Sequence, residues 1–157
     1  MNAFEPSQDL IEAVKEFEGG RLVPYRDPIG IWTVGYGHRF YPGSAIPQAI
    51  TAAQAEDWLK SDLASAGRMV NIFVKVALAQ HQWDALVDFV YNLGAARLQH
   101  ATLLTRVNEQ DWPQAQVECR KWVYAGGNVL PGLQKRREWE AVRLDPNFGV
   151  QNGTNVG

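Results

Sequence analysis

The spacing of apolar residues changes near residue 20, and this change limits what the chain can fold into. Ser7 is a good helix N-cap, and apolar residues then recur at helical spacing over Leu10–Phe17. The pair Gly19-Gly20 stops this helix directly after Glu18. Over Arg21–Tyr41 the spacing becomes two, which is typical of β-strands. The chain is therefore predicted to begin with a helix that leads at once into strands.

A turn signal divides the alternating segment into two strands. In Asp27-Pro28-Ile29-Gly30, the Asp, Pro and Gly stand where a type I turn favours them. If Gly30 takes the left-handed position of a three-residue loop, Asp27 lies opposite Ile31, and Thr33 follows on the same face. Two glycines continue that face, so a bulky ligand could approach the backbone beside an acid. The glycines are Gly35 and Gly37, and the opposite face carries Trp32, Val34, Tyr36 and His38.

Helical patterns dominate the rest of the chain. Thr51 and Gln54 form a capping box that opens a long helix reaching about Val70. The run His81–Gly94 is apolar on most sides, which predicts a buried central helix. Three more helices are predicted, over Ala101–Glu109, Trp112–Tyr124 and Pro131–Leu144.

These elements predict a single domain, 1–157, of the α+β class. A small β-hairpin lobe spans about 19–50, a larger helical lobe spans about 70–145, and the long helix joins them. Residues 146–157 are predicted to form a flexible tail. Apolar residues make up 46% of the 157 residues, which is enough for a sizeable core, and we expect Cys119 to lie in it.

Composition excludes several classes of function. A formal net charge of −2 argues against binding nucleic acid or a membrane surface through bulk charge. One cysteine cannot form an intramolecular disulfide, and no ligand spacing for a metal is found. No apolar run is long enough to span a membrane, and the N-terminus MNAFEPSQDL lacks the hydrophobic region of a signal peptide. We therefore expect synthesis in the cytoplasm, without a membrane anchor.

Two acids flank the start of the first strand. Glu18 lies in the last turn of a packed helix, where the helix dipole and the loss of water disfavour a carboxylate, so Glu18 suits a general acid. Asp27 lies in a solvated turn whose backbone amides can keep it ionised, as a base requires. Glycoside hydrolysis uses two such carboxylates. Each also has a purely structural interpretation, Glu18 as a solvated helix-end residue and Asp27 as a turn initiator.

The joint spacing of these residues resembles a known signature, E-G-x-x-L-x-x-Y-x-D-x-x-G-x-x-T-x-G-x-G-H. It is the signature of the phage-type lysozymes, the endolysins of glycoside hydrolase family 24. Every position is filled, by Glu18, Gly19, Leu22, Tyr25, Asp27, Gly30, Thr33, Gly35, Gly37 and His38. The resemblance continues through Gln82–Gly94, Thr102–Asn108, Lys121–Leu133 and the set Arg136, Arg137 and Glu140.

The resemblance implies a lysozyme-like α+β fold with a saccharide cleft between the two lobes. The implied reaction is hydrolysis of the β-1,4 bond between N-acetylmuramic acid and N-acetylglucosamine in peptidoglycan. By resemblance, Glu18 would be the general acid, while Asp27 and Thr33 would hold the attacking water or stabilise the anomeric centre. No metal or organic cofactor is implied, because two carboxylates and water suffice for this hydrolysis.

The resemblance also suggests residues that support the site. His38 would pair with Asp62 and so tie the hairpin lobe to the long helix. An arginine of the last helix, Arg136 or Arg137, would reach Glu18. Helix phase places Arg137 on the inward stripe with Leu133, Glu140 and Leu144, and we therefore favour Arg137 for this contact.

Other functions stay open at this point. A lytic transglycosylase cleaves the same bond, but such sites typically use one acid, so Asp27 and Thr33 argue against it. A non-catalytic lysozyme-like module would bind the cell wall without cutting it. For the enzyme, we expect a monomeric phage or prophage lysis protein that reaches the peptidoglycan glycan strands through a separate holin-type pore. A secreted antibacterial effector is the alternative setting.

Overall fold

Seven helices and two small sheets make up the computed structural model, which describes residues 4–150. The α+β class predicted from the sequence is confirmed. Strands β1, β2 and β3 form one antiparallel sheet in chain order, and β4 pairs with β5. In chain order the elements are α1 (Gln8–Glu18), β1 (Arg21–Arg26), β2 (Trp32–Gly35), β3 (His38–Arg39), α2 (Ala52–Phe73), α3 (Gln80–Leu93), α4 (Ala95–His100), α5 (Thr102–Asn108), α6 (Trp112–Arg120), β4 (Tyr124–Ala125), β5 (Asn128–Val129) and α7 (Pro131–Leu144).

The helices that frame the small sheet begin and end where the sequence signals predict. The Ser7 hydroxyl accepts a hydrogen bond of 3.1 Å from the Leu10 amide, and α1 ends at Gly19 with φ of 64°. Both bonds of the capping box between Thr51 and Gln54 are present at the start of α2. The end of α1 and the start of α2 are therefore fixed by local chemistry.

The register of β1 and β2 brings the predicted turn residues together. Tyr25 lies opposite Thr33, and the Asp27 amide donates to the Ile31 carbonyl at 2.9 Å, as the turn signal predicted. The pairing is irregular between Arg21 and Tyr25, which is a β-bulge. Asp27 consequently stands at the end of the sheet.

The prediction that one strand runs from Thr33 through Gly37 is wrong. The strand ends at Gly35, where φ is 64°, and the chain turns through Gly37, where φ is 97°. Such positive φ values favour glycine, because a Cβ atom would clash with the backbone. The turn lets β3 fold back, so that Val34 pairs with His38 and Thr33 with Arg39.

Two hydrophobic cores share the long helix α2. The smaller core packs the sheet against the start of α2 through Val34, Ile50 and Ala55. The larger core surrounds α3, whose Trp83, Leu86, Val87 and Phe89 are almost fully buried. Helices α1, α2 and α7 all pack against α3, which is therefore the central helix that the sequence predicted. Cys119 is buried in this core, as expected.

Two local predictions need correction. Helix α4 was not predicted, and α6 ends at Arg120 instead of continuing to Tyr124, because a turn at Gly126-Gly127 pairs β4 with β5. In the tail predicted to be flexible, 146–157, the Phe148 amide donates to the Asp145 carbonyl and the Val150 amide to the Asn147 carbonyl, and the flexibility itself stays a prediction. The remainder of that prediction, 151–157, lies outside the described residues. Among residues 4–150, no helix is both long and apolar enough to cross a membrane.

A close contact between α2 and α3 makes Gly67 sensitive to substitution. A Cβ atom at Gly67 would lie 2.3 Å from the Trp83 ring, which is fully buried and donates to Asn71 at 2.9 Å. We expect Gly67→Ala to lower the free energy of unfolding by about 1–3 kcal/mol, although alanine favours a helix over glycine by about 1 kcal/mol. Urea denaturation measures the change.

Gly132→Ala is the matched control for this effect, because a Cβ atom at Gly132 in α7 meets nothing within 4 Å. We expect Gly132→Ala to leave stability unchanged or raise it by up to about 1 kcal/mol. Equal stability changes in the two variants would show that the Trp83 contact has no effect.

Candidate active site

A cleft of about 440 Å³ lies where the end of α1, the small sheet and the end of α3 meet. The three residues predicted to be catalytic, Glu18, Asp27 and Thr33, all line it. The other lining residues are Tyr25, Gly37, Arg39, Tyr91, Asn92, Leu93 and Gly94. The fold thus brings together residues that the sequence could connect only through their spacing.

Glu18 projects from the last turn of α1 into the cleft, and its side chain is 27% exposed. One carboxyl oxygen, Oε1, accepts a hydrogen bond of 2.6 Å from Nη1 of Arg136. Arg136 is itself buried, and its other nitrogens bond Asp88 at 2.7–3.2 Å. Glu18 and Asp88 therefore share the charge of one buried guanidinium.

Asp27 is held by the backbone of its own turn. Its Oδ1 accepts hydrogen bonds from the amides of Ile31 at 2.9 Å and Ile29 at 3.0 Å, and its Oδ2 lies 2.9 Å from Nη2 of Arg39. The Ile31 amide, then the Ile29 amide and the Arg39 charge, hold the pKa of Asp27 below its usual range, against the opposing effect of desolvation. Asp27 is therefore ionised at neutral pH, as the turn geometry predicted.

Because the pKa of Asp27 is lowered in the folded protein, the contribution of Asp27 to stability depends on pH. A carboxyl whose pKa is lower in the folded state stabilises the fold above its unfolded pKa of about 3.9, and this contribution is lost as pH falls through the folded pKa. We expect Asp27→Asn to lower the melting temperature more at pH 6 than at pH 3. Thermal unfolding of the wild type and of Asp27→Asn across this pH range measures the difference in melting temperature. A difference that does not change with pH would contradict a lowered pKa of Asp27 in the folded protein.

Thr33 is buried on β2 beside Asp27. Its hydroxyl donates to the Ile31 carbonyl at 3.1 Å, so the hydroxyl oxygen keeps lone pairs that can accept a hydrogen bond. An ionised carboxylate and a hydroxyl acceptor side by side can orient a water molecule for attack. No group of three or more His, Cys, Asp or Glu residues within 4–150 is arranged to hold a metal ion.

The expectation that Arg137 reaches Glu18 is wrong, because Arg136 makes that contact. Arg137 does face inward, as its helix phase predicted, and it is fully buried. Its partners are Glu140 at 2.8 Å and Asn92 at 2.7 Å. The inward stripe of α7 therefore points to the core, while the neighbouring Arg136 points to the end of α1.

The buried partners of Arg137 form a second charged cluster behind the cleft. Burial, and then the charge of Asp88, raises the pKa of Glu140 well above its usual range, although Arg137 opposes this effect. Cys119 lies 3.3 Å from Glu140 through its sulfur atom, and burial raises the pKa of this thiol. Asn92 connects the cluster to the cleft, because it lines the cleft and bonds Arg137.

His38 and Asp62 pair as the resemblance suggested, with 2.8 Å between Nδ1 and Oδ2. The His38 ring also lies 4.6 Å from the ring of Trp58, so the contact connects β3 to α2. His38 and Asp62 line a separate cavity of about 570 Å³ and do not border the cleft with Glu18. Their position fits support of the sheet, and their role stays a prediction.

Several cleft residues were missed by the sequence reasoning. Tyr91 donates a short hydrogen bond to the Tyr36 carbonyl, and burial, then the charges of Glu18 and Asp62, raises the pKa of its hydroxyl. A Cβ atom at Gly37 would lie 3.2 Å from that hydroxyl, so Gly37 leaves room for it. The sequence signal for Tyr91 was its position near the end of α3, just before Gly94, because helix ends often border clefts. The sequence pattern around Arg39 did not indicate that this residue lines the cleft.

Comparison with known families decides how this cleft is to be interpreted. The family model for phage lysozyme matches residues 15–140, from α1 to α7. The chain belongs to the phage lysozyme family. Its resemblance to that family, first noted on Glu18 to His38, is confirmed, and so is the expectation of a peptidoglycan-degrading hydrolase.

Individual relatives support the same family assignment. An endolysin of Acyrthosiphon pisum secondary endosymbiont phage 1 is 40% identical over 143 residues, which cover 88% of this chain and 97% of the relative. A SAR-endolysin of Enterobacteria phage PA-2 is 37% identical over 123 residues, covering 78% of this chain and 74% of the relative.

Solved structures confirm the lysozyme-like fold. The muramidase domain of SpmX from Asticaccaulis excentricus superposes with a TM-score of 0.80 at 33% identity, covering 89% of this chain and 97% of that one. The endolysin from Escherichia coli O157:H7 phage FAHEc1 gives a TM-score of 0.80 at 32% identity, covering 91% and 94%.

Proposed function

We propose that this phage lysozyme hydrolyses the β-1,4 bond between N-acetylmuramic acid and N-acetylglucosamine, with Glu18 as the general acid and Asp27 and Thr33 as the residues that hold the attacking water. The observation that carries the proposal is the single cleft lined by all three side chains. Two carboxylates in different surroundings supply the acid and the base that the reaction needs.

Glu18 donates its proton to the oxygen of the bond that breaks. Its side chain is part-exposed to the cleft, so a sugar ring that enters the cleft displaces water from it. After proton transfer, Nη1 of Arg136 at 2.6 Å stabilises the new carboxylate. The Asp88–Arg136 pair keeps that donor in place throughout.

Asp27 acts on the attacking water from the end of the small sheet. Its Oδ1 is occupied by two backbone amides, so only Oδ2 can accept a proton or a hydrogen bond from water. The Thr33 oxygen provides the second acceptor for that water. His38 and Asp62 hold β3, which pairs with the strand that carries Thr33, against α2, and they take no part in the chemistry.

The test is mass spectrometry of soluble fragments released from purified peptidoglycan. We expect fragments that end in reducing N-acetylmuramic acid. Anhydro-muramic ends would overturn the proposal in favour of a transglycosylase, in which Asp27 would have another role. Release of no fragments by folded protein would overturn it in favour of a wall-binding module.

We propose that the setting is lysis of a host cell at the end of a phage or prophage cycle. The endolysins among its relatives support this setting. In the proposed sequence of events, a monomeric enzyme is made in the host cytoplasm and reaches the cell wall through a holin-type pore formed by another protein. Expression of the chain with and without a pore-forming protein tests it, because lysis without the pore would contradict a separate release step.

A further inference from the structure

Arg39 occupies the one carboxyl oxygen of Asp27 that the proposed reaction needs. Nη2 of Arg39 lies 2.9 Å from Oδ2 of Asp27. This oxygen is buried and accepts no hydrogen bond from any group among residues 4–150, so Arg39 holds it through charge alone. The Asp27 side chain as a whole is only 7% exposed. In this arrangement Oδ1 is taken by the Ile29 and Ile31 amides, and Oδ2 is buried beside Arg39.

The sheet register explains why Arg39 stands there. Arg39 lies directly opposite Thr33 in the β2–β3 pair, and Thr33 lies opposite Tyr25 in the β1–β2 pair. The three side chains therefore cross the sheet in one row beside Asp27. The turn at Gly37, which ends β2 early, is what brings Arg39 back over the active site.

Arg39 also has space into which it can move. Its side chain is 59% exposed, and Arg39 lines both the cleft of about 440 Å³ and the neighbouring cavity of about 570 Å³. That cavity contains the aromatic rings of Phe40 and Tyr41, against which a guanidinium can stack. Only the Arg39 side of this ion pair is exposed, and the Asp27 carboxylate keeps the hydrogen bonds from the Ile29 and Ile31 amides when Arg39 moves.

We propose that Arg39 is a positioning residue, which holds Asp27 in place and withdraws from Oδ2 into the neighbouring cavity when a saccharide enters the cleft. The inference rests on the proposed function of Asp27. Withdrawal exposes Oδ2 to the water that Thr33 also holds, so Asp27 becomes a base only with substrate present. Arg39 touches neither the substrate's reacting atoms nor the water.

The other groups that face Asp27 do not replace Arg39. Glu18 lines the cleft from the end of α1 and is the other carboxyl group that borders it. The phenols of Tyr25 and Tyr91 are the other titratable groups that line the same cleft. Arg39 is the cation among the groups that set the pKa of Asp27, together with the Ile31 and Ile29 amides.

The pH dependence of kcat/KM and of kcat separates this role from a purely structural one. The profile of kcat/KM reports the free enzyme and that of kcat reports the complex with substrate. We expect Arg39→Gln to move the acid limb of kcat/KM to higher pH by about half a unit to one unit, and to leave the acid limb of kcat in place. Arg39→Lys should restore most of the kcat/KM profile. Soluble peptidoglycan fragments serve as the substrate.

Arg68→Gln is the control. Arg68 is an exposed arginine on α2 that lines neither cavity, and its guanidinium donates to the Ser65 hydroxyl at 2.7 Å. We expect wild-type profiles from this variant. Equal shifts of both acid limbs in Arg39→Gln would overturn withdrawal, and an unmoved kcat/KM limb would overturn the positioning role.

A carboxyl NMR titration makes the result independent of catalysis. With the Asp27 signal assigned through Asp27→Asn, Arg39→Gln should raise the titration midpoint of Asp27 in the free protein. If peptidoglycan is not cut but the midpoint rises, the proposed function fails and the contact between Arg39 and Asp27 stands. If the midpoint does not move, the positioning role is overturned whatever the activity.

Discussion

Glu18→Gln is expected to fold normally and to lose hydrolysis of peptidoglycan by a factor on the order of 10² to 10⁴, the contribution that a positioned general acid makes. The amide has nearly the shape of the acid, and its oxygen can still accept from Nη1 of Arg136. The variant therefore keeps the geometry and removes the proton. Release of reducing ends from purified peptidoglycan measures the loss, and circular dichroism checks the fold.

Glu16→Gln provides the control for the Glu18 experiment. Glu16 belongs to the same helix, but its side chain is 73% exposed, and its partner is the exposed Lys135 at 3.3 Å. We expect Glu16→Gln to keep wild-type activity, since surface ion pairs contribute little. If Glu18→Gln kept a substantial fraction of the activity while folded, Glu18 could not be the general acid.

Elements with local causes were predictable from the sequence. The start of α1 at Ser7 and the capping box at Thr51 depend on residues within one helical turn, and both are present as predicted. The turn at Asp27 was also predictable, because its Asp, Pro and Gly act on their own backbone. Local chemistry thus determined the two ends of the segment that carries the active site.

The end of β2 shows where sequence spacing fails. Alternation extended the strand through Gly37, because a glycine has no side chain to break the pattern. The same absence of a side chain permits the positive φ values at Gly35 and Gly37 that fold the chain back. A glycine in a strand pattern therefore fits either an open face or a turn, and only the paired β3 decides between them.

The partners of the catalytic residues were least predictable, because they depend on how distant elements approach one another. Helix phase identified Arg137 as inward, yet both Arg136 and Arg137 are buried. Which of them meets Glu18 depends on the angle between α7 and α1, a property of the packed core. Arg39 is similar, since its contact with Asp27 requires the register of β3.

Asp88→Asn is expected to be the most destabilising of the substitutions considered, lowering the free energy of unfolding by about 3 kcal/mol. Asp88 is fully buried and neutralises Arg136, which is also buried. Burial opposes the charge of Arg136, but Asp88 and then Glu18 outweigh it and raise the pKa of the guanidinium. Arg136 also stays charged without Asp88, because arginine is too basic to lose its proton in a protein. A buried charge that loses its main partner is costly, because no water replaces the lost interaction.

Two effects partly offset the loss of stability expected for Asp88→Asn, but they do not cancel it. Relief of the repulsion between Asp88 and Glu140 favours the variant, and Glu18 still contacts Arg136 from the part-exposed cleft. Neither replaces the three contacts of 2.7–3.2 Å between Asp88 and Arg136. Urea denaturation at neutral pH measures the change against Asp57→Asn, an exposed position on α2 at which we expect a change within about 0.5 kcal/mol. A loss of less than about 1 kcal/mol from Asp88→Asn would mean that water or a rearranged Arg136 compensates the charge, and that Arg136 does not depend on Asp88 to hold its position beside Glu18.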